Sequence, residues 1–259
     1  MTHEEYVREP EGARVAVLCV HGILGSPRHF DMLLDLIPQE YSVYCIVLPG
    51  HAGEAKDFAA TSLSKWEELV ALKVRELREH YERVYLVGHS LGTLLLLGEL
   101  FKSEEAIAGA FLMAVPLTPF VAPTTLRHAP PTALGMKARR DSGISHAWRA
   151  AYSVKPTKNL FRYVTYLPRF IDLFRKIIKV RDGLSTYSPS VPIMAVQSKH
   201  DELVTRGSAR LLSRYPKIDT RVLEHSRHFY YPDGDLELLR SYFAALLSRG
   251  EAIQERQEK

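Results

Sequence analysis

Cysteine is scarce in this chain of 259 residues: there are two, Cys19 and Cys45, each inside an apolar run. A disulfide framework or a cysteine-rich metal centre is thereby excluded, and both thiols read as small core residues. Long hydrophobic stretches are missing too. Although 46% of the residues are hydrophobic, no run approaches the roughly 20 that a bilayer-spanning helix needs. The opening Met1-Thr2-His3-Glu4-Glu5 lacks the basic and apolar regions of a secretory leader. The expectation is a soluble, cytoplasmic protein without a transmembrane segment. No short-period repeat or low-complexity tract is present, which excludes a solenoid or a fibrous chain. Acidic residues are sparse in one region. From Leu117 to Ser185 there are thirteen Lys or Arg against three Asp, a local balance of +10 in a chain of net +4, which leaves −6 for the rest. No recognised nucleic-acid reading module accompanies that basic segment, so nucleic acid is not an expected partner.

What is present is an alternation of strand-like and helix-like segments. Arg14–Val20 is a continuous apolar run, the pattern of a strand covered on both faces in a parallel sheet. Phe30, Leu33, Leu34 and Ile37 follow at helical spacing, then a strand at Val43–Leu48. Ser62 or Ser64 caps a helix carrying Trp66, Leu69, Val70, Val74 and Leu77 to His80. Strands at Val84–Val87, Ile107–Val115, Val191–Val196 and Arg221–Leu223 complete a doubly wound, mostly parallel α/β sheet. A last helix spans Leu236–Ser248, and Glu251–Lys259 reads as a frayed tail. The rhythm breaks between the fourth and fifth of these strands. Residues 117–188, rich in proline, aromatics and cations, read as a helical lobe inserted into a core made of 1–116 and 189–259.

The chemistry centres on Val84–Thr93, where Gly88, Ser90 and Gly92 form G-x-S-x-G between an apolar strand and a leucine-rich helix. This is a nucleophile-elbow pattern, in which a strained strand-to-helix turn lifts a serine oxygen clear of the backbone. Such an elbow requires an acid and then a base further along, each at a strand end. Asp201, in the loop after Val196, is the candidate acid, with Glu202 beside it as the fallback; no Asp or Glu closes the strand ending near Val115. His228 is favoured over His225 as the base, because it lies in the loop before the last helix, where its ring could reach over the sheet edge. The remaining histidines mostly lack strand-end context. Two amides are the candidate oxyanion donors: Leu91, just after the serine, and Ile23, in the glycine-rich loop after the first strand.

With these parts in place the sequence resembles the α/β-hydrolase superfamily over nearly its whole length, and within it bacterial carboxylesterases and monoacylglycerol lipases. The resemblance rests on Val-Gly-His-Ser-Leu-Gly (87–92), His-Gly-Ile-Leu-Gly-Ser (21–26), Leu-Pro-Gly-His (48–51), Ser-Lys-His-Asp-Glu-Leu-Val (198–204) and Ser-Arg-His (226–228). It implies an α/β-hydrolase fold in which the inserted lobe is a lid. It also implies a Ser90–His228–Asp201 triad that hydrolyses a carboxylic ester through an acyl-enzyme, with no metal or organic cofactor. Two departures stand out. Only a dozen or so residues precede the first clear strand, so the family's opening hairpin is shortened or missing. The Gly-His-Gly expected after the second strand reads Gly50-His51-Ala52-Gly53.

The substrate is read from the lobe. Leu160–Lys179 mixes apolar and basic residues at helical intervals. One reading is a lid that takes an acyl chain on its apolar face and attracts an anionic lipid surface with its cations. The other is an amphipathic helix with a solvated basic side. A monoacylglycerol or another ester of a medium or long acyl chain is the leading substrate class. A lysophospholipid or acyl thioester comes next, and a non-catalytic binding protein on the same fold is the distant alternative.

Overall fold

The computed structural model describes residues 3–119, 125, 128–136, 143–159 and 161–257. Pro123 and Leu160, both part of the lobe as read from sequence, lie outside the described residues. Seven strands are described: β1 (Tyr6–Arg8), β2 (Val15–Val20), β3 (Ser42–Ile46), β4 (Arg83–His89), β5 (Ile107–Met113), β6 (Ile193–Ser198) and β7 (Ile218–Leu223). They form one sheet in the order β1-β3-β2-β4-β5-β6-β7. Every pair is parallel except β1 with β3, where Tyr6 faces Cys45 and Arg8 faces Val43. Among the described residues one three-residue strand, β1, precedes β2. Arg8 secures it by donating to the Ile37, Pro38 and Tyr41 carbonyls.

All six residues of β2 are buried, as are all five of β3. Alternate side chains feed two separate cores, the consequence of a period of two along each strand. Ala16, Leu18, Val20 and Leu86 pack with Trp66 of α3 (Leu63–His80), Leu94 of α4 (Leu91–Leu100) and Ile177 of α8 (Leu167–Leu184). Val17, Cys19, Tyr85 and Phe111 pack with Leu33 of α1 (Asp31–Leu34) and Phe243 of α10 (Asp233–Gln257). Both cysteines are free and buried.

Ser62, not Ser64, caps α3, accepting from the Lys65 amide at 3.3 Å. Helix α4 is buried at nearly every position, so its leucines show no amphipathic stripe. At the C-terminus the structure corrects the expected frayed tail, since α10 continues past Ser248 to Gln257. Gly250 lets the helix lie close to Tyr85, because a Cβ there would come within 1.9 Å of the Tyr85 hydroxyl, which itself donates to the Leu247 carbonyl at 3.0 Å. The short helices α2 (Ala55–Ala60) and α9 (Arg206–Leu212) were not anticipated. Between β5 and β6 the chain leaves the sheet and forms α5 (Ala129–Ala133), α6 (Gly143–Ala151), α7 (Phe161–Val164) and α8.

Candidate active site

The site is built where β2, β3, β4, β6 and β7 end. Ser90 follows β4 with φ 52° and ψ −119°, a conformation that a non-glycine residue adopts only under strain of order 1–3 kcal/mol. Three contacts hold it there. Its amide donates to the Met113 carbonyl at 2.9 Å, and its carbonyl accepts from the Thr93 amide at 3.0 Å and the Thr93 hydroxyl at 2.6 Å. Gly92 is a steric necessity, since a Cβ there would lie 1.9 Å from the Val20 carbonyl oxygen, and Gly88 is tightly confined, with a Cβ there lying 3.0 Å from Thr93 backbone.

Asp201 and His228 come together. Both side chains are 1% exposed, and Nδ1 of His228 lies 2.8 Å and 3.0 Å from the two carboxylate oxygens of Asp201. The carboxylate is aimed by its own loop, because Oδ1 also accepts from the Leu203 and Val204 amides, each at 2.7 Å. Nδ1–H therefore points at the acid, and Nε2 is left as the basic nitrogen. His89 precedes Ser90 in the chain, and its ring centroid lies 4.7 Å from that of His228, so the imidazole rests against the elbow. Among the described residues no hydrogen bond joins Ser90 Oγ to that imidazole. Such contacts in ligand-free sites often tighten only when substrate binds.

Of the competing residues, His225 is exposed, and its amide donates to Asp235 Oδ2 at 2.7 Å. Among the described residues no hydrogen bond joins Glu202 to the ring; its carboxylate accepts from Arg227 and from the backbone of His228. The two candidate oxyanion donors lie beside the serine. Leu91 is the first residue of α4, where amides have no intrahelical partner. The loop carrying Ile23 presses on Ser90 so closely that a Cβ at Gly22 would lie 2.9 Å from Ser90 Cβ. Among the described residues no side-chain or loop hydrogen bond occupies the Ile23 or Leu91 amide.

Two histidines that the sequence reading passed over stake this loop, and both follow strands. His21, after β2, donates from Nδ1 to the Gly22 carbonyl at 2.8 Å and accepts from the Leu48 amide at 3.0 Å. His51, after β3, donates from Nδ1 to the Leu48 carbonyl at 3.1 Å and accepts from the Leu24 amide at 2.9 Å. Each pattern needs a neutral ring. Burial pushes His21 down to about 4 and holds His51 well below the usual histidine range. Burial likewise depresses His89, whose Nε2–H donates to the His228 carbonyl. The signal that could have found them was their place just after a strand, or at its last residue.

Ser90 opens into a cavity of about 510 Å³ whose walls include Leu24, Trp148, Tyr166, Phe170, Leu173 and Phe229. None of its described lining residues carries a charge. The inner face of α8 supplies Phe170, Leu173, Phe174 and Ile177, and α5 and α6 supply further wall. The basic side of α8 is less uniform than the sequence implied. Lys176 turns inward, 4% exposed, and pairs with Glu67 Oε1 of α3 at 2.7 Å, while Arg169 pairs with Asp172. Arg162, Arg175 and Lys179 remain exposed, beside outward-facing Phe161, Val164, Leu167, Ile171 and Ile178.

An open, mostly parallel sheet with a strained serine after β4, an acid after β6 and a histidine after β7 defines the α/β-hydrolase class of fold. The chain belongs to the alpha/beta hydrolase family, whose model matches residues 17–239. Solved structures with the same fold include one reported for LipS and LipT, two metagenome-derived lipolytic enzymes. It has a TM-score of 0.71 and 21% identity, and the match covers 95% of this chain and 98% of that one. A carboxylesterase structure from the thaumarchaeon Nitrososphaera gargenis matches with a TM-score of 0.64 and 14% identity over 95% and 96% of the two chains. The thioesterase domain of the curacin biosynthetic pathway matches with a TM-score of 0.62 and 14% identity over 94% of each. Among curated sequences, the dihydrolipoyllysine-residue acetyltransferase component of the acetoin cleaving system of Cupriavidus necator is 33% identical over 87 residues, 34% of this chain. That stretch is 22% of the relative, so the chain spans about a fifth of its length. Among the described residues no helix is long and apolar enough to cross a membrane.

Proposed function

We propose that the protein is a serine hydrolase of carboxylic esters, with Ser90 as nucleophile, His228 as general base and Asp201 as the residue that orients it. The observation that carries this reading is the buried Asp201–His228 pair, set against an elbow serine that opens into an apolar cavity. His228 Nε2 takes the Ser90 proton as Oγ attacks the acyl carbon, and Asp201 stabilises the imidazolium that forms. The negative oxygen of the tetrahedral intermediate rests on the Ile23 and Leu91 amides, with the positive end of α4 directed at it. His228 then protonates the departing alcohol, and water repeats the sequence on the acyl-enzyme.

The cavity supports an uncharged acyl chain of medium to long length, since its volume lies in the roughly 300–1,000 Å³ range of small-molecule pockets and its walls are apolar. Residues 117–188 act in this proposal as a lid, because α8 and its neighbours roof the acyl site. The exposed row of Phe161, Val164, Leu167, Ile171 and Ile178, flanked by Arg162, Arg175 and Lys179, supports transient contact of that lid with an anionic lipid surface.

The test is hydrolysis of p-nitrophenyl esters from acetate to palmitate, with Ser90→Ala as control. The expected result is turnover that disappears in the variant, with an optimum at medium or long chains. Absence of both turnover and fluorophosphonate labelling in the parent protein would remove the hydrolase reading and leave a binding protein. Labelling of Ser90 without turnover of these esters would redirect the assignment to thioesters or lysophospholipids.

A further inference from the structure

We propose that Glu202 is a positioning residue for His228, gripping the backbone of the base while its neighbour Asp201 grips the ring. The inference rests on the hydrolase reading above, in which His228 is the base.

A general base must be held in rotation and in translation. The Nδ1 contact with Asp201 fixes ring rotation, but it cannot by itself fix the loop between β7 and α10 on which the ring is mounted. Glu202 is 2% exposed, and a carboxylate so buried persists only if its oxygens are satisfied. Both are. Oε1 accepts from Arg227 Nη1 at 2.7 Å, and Oε2 accepts from the His228 amide at 3.3 Å. On the opposite side of the same residue, the His228 carbonyl accepts from His89 Nε2 at 3.2 Å. The amide and carbonyl of the base are thus both taken by side chains.

The placement of those side chains gives the arrangement its meaning. Glu202 is the residue after the acid, and His89 is the residue before the nucleophile. Each partner of the base therefore brings a sequence neighbour that holds the base's own backbone, which registers three separate loops to one another. The acid loop is also fixed from outside, since the Thr125 hydroxyl donates to the Glu202 carbonyl at 2.7 Å. A contact that merely stabilised the fold would have no reason to converge on His228 from both of these loops.

The test compares Glu202→Ala, Glu202→Asp and Glu202→Gln, using p-nitrophenyl butyrate kinetics and the rate of Ser90 labelling by a fluorophosphonate, below the melting temperature of each variant. The alanine loses both contacts. The aspartate keeps the charge for Arg227 but falls one methylene short of the His228 amide. For both, kcat and the labelling rate are expected to fall on the order of 10²-fold with KM within about twofold, the scale of a misplacement near 1 Å. The glutamine keeps an acceptor oxygen and is expected to recover about tenfold of that loss by the same positional argument. The inference is overturned if kcat in the alanine and aspartate variants stays within about threefold of the parent, if the loss falls on KM instead, or if glutamine rescues nothing. Should the alanine variant not fold, the aspartate variant decides. A parent protein that neither turns over ester nor labels at Ser90 refutes the hydrolase reading itself. Normal parental turnover with indifferent Glu202 variants removes only this inference.

Discussion

Gly92 approaches the end of β2 so closely that a Cβ at position 92 would sit 1.9 Å from the Val20 carbonyl oxygen. The contact is with backbone, which cannot step aside without moving the strand. Gly92→Ala is therefore expected to cost more than about 2 kcal/mol through overpacking and to displace Ser90 with it. Urea denaturation together with ester turnover checks this, and a variant with parental stability and rate would contradict it.

Asp201→Asn keeps the shape of the acid but can turn an amide N–H toward His228 Nδ1, which then accepts and leaves the proton on Nε2, the wrong tautomer for a base. A fall in kcat on the order of 10⁴-fold is expected if Asp201 orients the base as proposed, the size of the same exchange in a serine-protease triad. KM should change little. The measurement is steady-state kinetics on the ester that the parent prefers.

Lys176 and Glu67 form an inward-facing ion pair at 2.7 Å that ties α8 to α3, with side-chain exposures of 5% and 34%. Gly98 makes room for it, since a Cβ there would lie 2.7 Å from Nζ. Glu67→Ala strands the ammonium and is expected to destabilise by about 2 kcal/mol, less than the roughly 3–5 of a fully buried pair because Glu67 is a third exposed. Lys176→Met replaces the stem with an apolar one of similar length and should stay within about 1 kcal/mol of the parent. Chemical denaturation of the two variants side by side separates these outcomes.

Stability should fall in mild acid. Burial depresses His21 from 6.5 to about 4 and lowers His51 and His89 as well, so the unfolded chain binds protons in that range that the folded chain refuses. The contribution of a base with a depressed folded value is fully present above the unfolded value and is lost as pH drops toward the folded one. Each such histidine contributes a slope of at most about 1.4 kcal/mol per pH unit. Denaturation midpoints measured from pH 7.5 down to 4.5 should decline in this window; a flat profile would show that the rings are not held neutral.

Leu173 lies on the inner face of α8, in the wall of the cavity. Leu173→Trp fills part of that space and is expected to move the acyl-length optimum toward shorter esters while acetate turnover is retained. The p-nitrophenyl ester series reads this directly.

Much of the site was legible because its local geometry is written in short segments. A strand-like run ending in G-x-S-x-G leaves few alternatives to an elbow, and Asp201 and His228 follow strands in the order the elbow demands. What escaped was of two kinds. Weak local signals hid β1, only three residues long, and α2, which Glu54 and Asp57 close with a capping box in place of a serine or threonine cap. The close approach of α10 at Gly250 to Tyr85 is a contact between residues far apart in the chain, and it too was invisible to a linear reading. The roles of Glu202, His89, His21 and His51 belong to the second kind. Their places after strands mark the three histidines as belonging to the site, but each acts on a segment supplied by another loop, so spacing could not show which partner each one holds.

The sequence by itself determined the alternation of buried strands and helices, the serine's strand-to-helix turn and the set of residues from which a base and an acid could be drawn. The periodicity of apolar residues and the conformational demands of glycine act over a few residues, and those a linear reading can follow. Only the tertiary structure decided that Asp201 meets the imidazole ring while Glu202 meets the backbone of the same histidine. It also decided that Lys176 turns into the protein while Arg175 and Lys179 stay outside. The reason is physical: a side chain's partner in a loop or on a helix face is chosen by hydrogen bonds and packing from segments tens of residues away, which meet only when the sheet has formed.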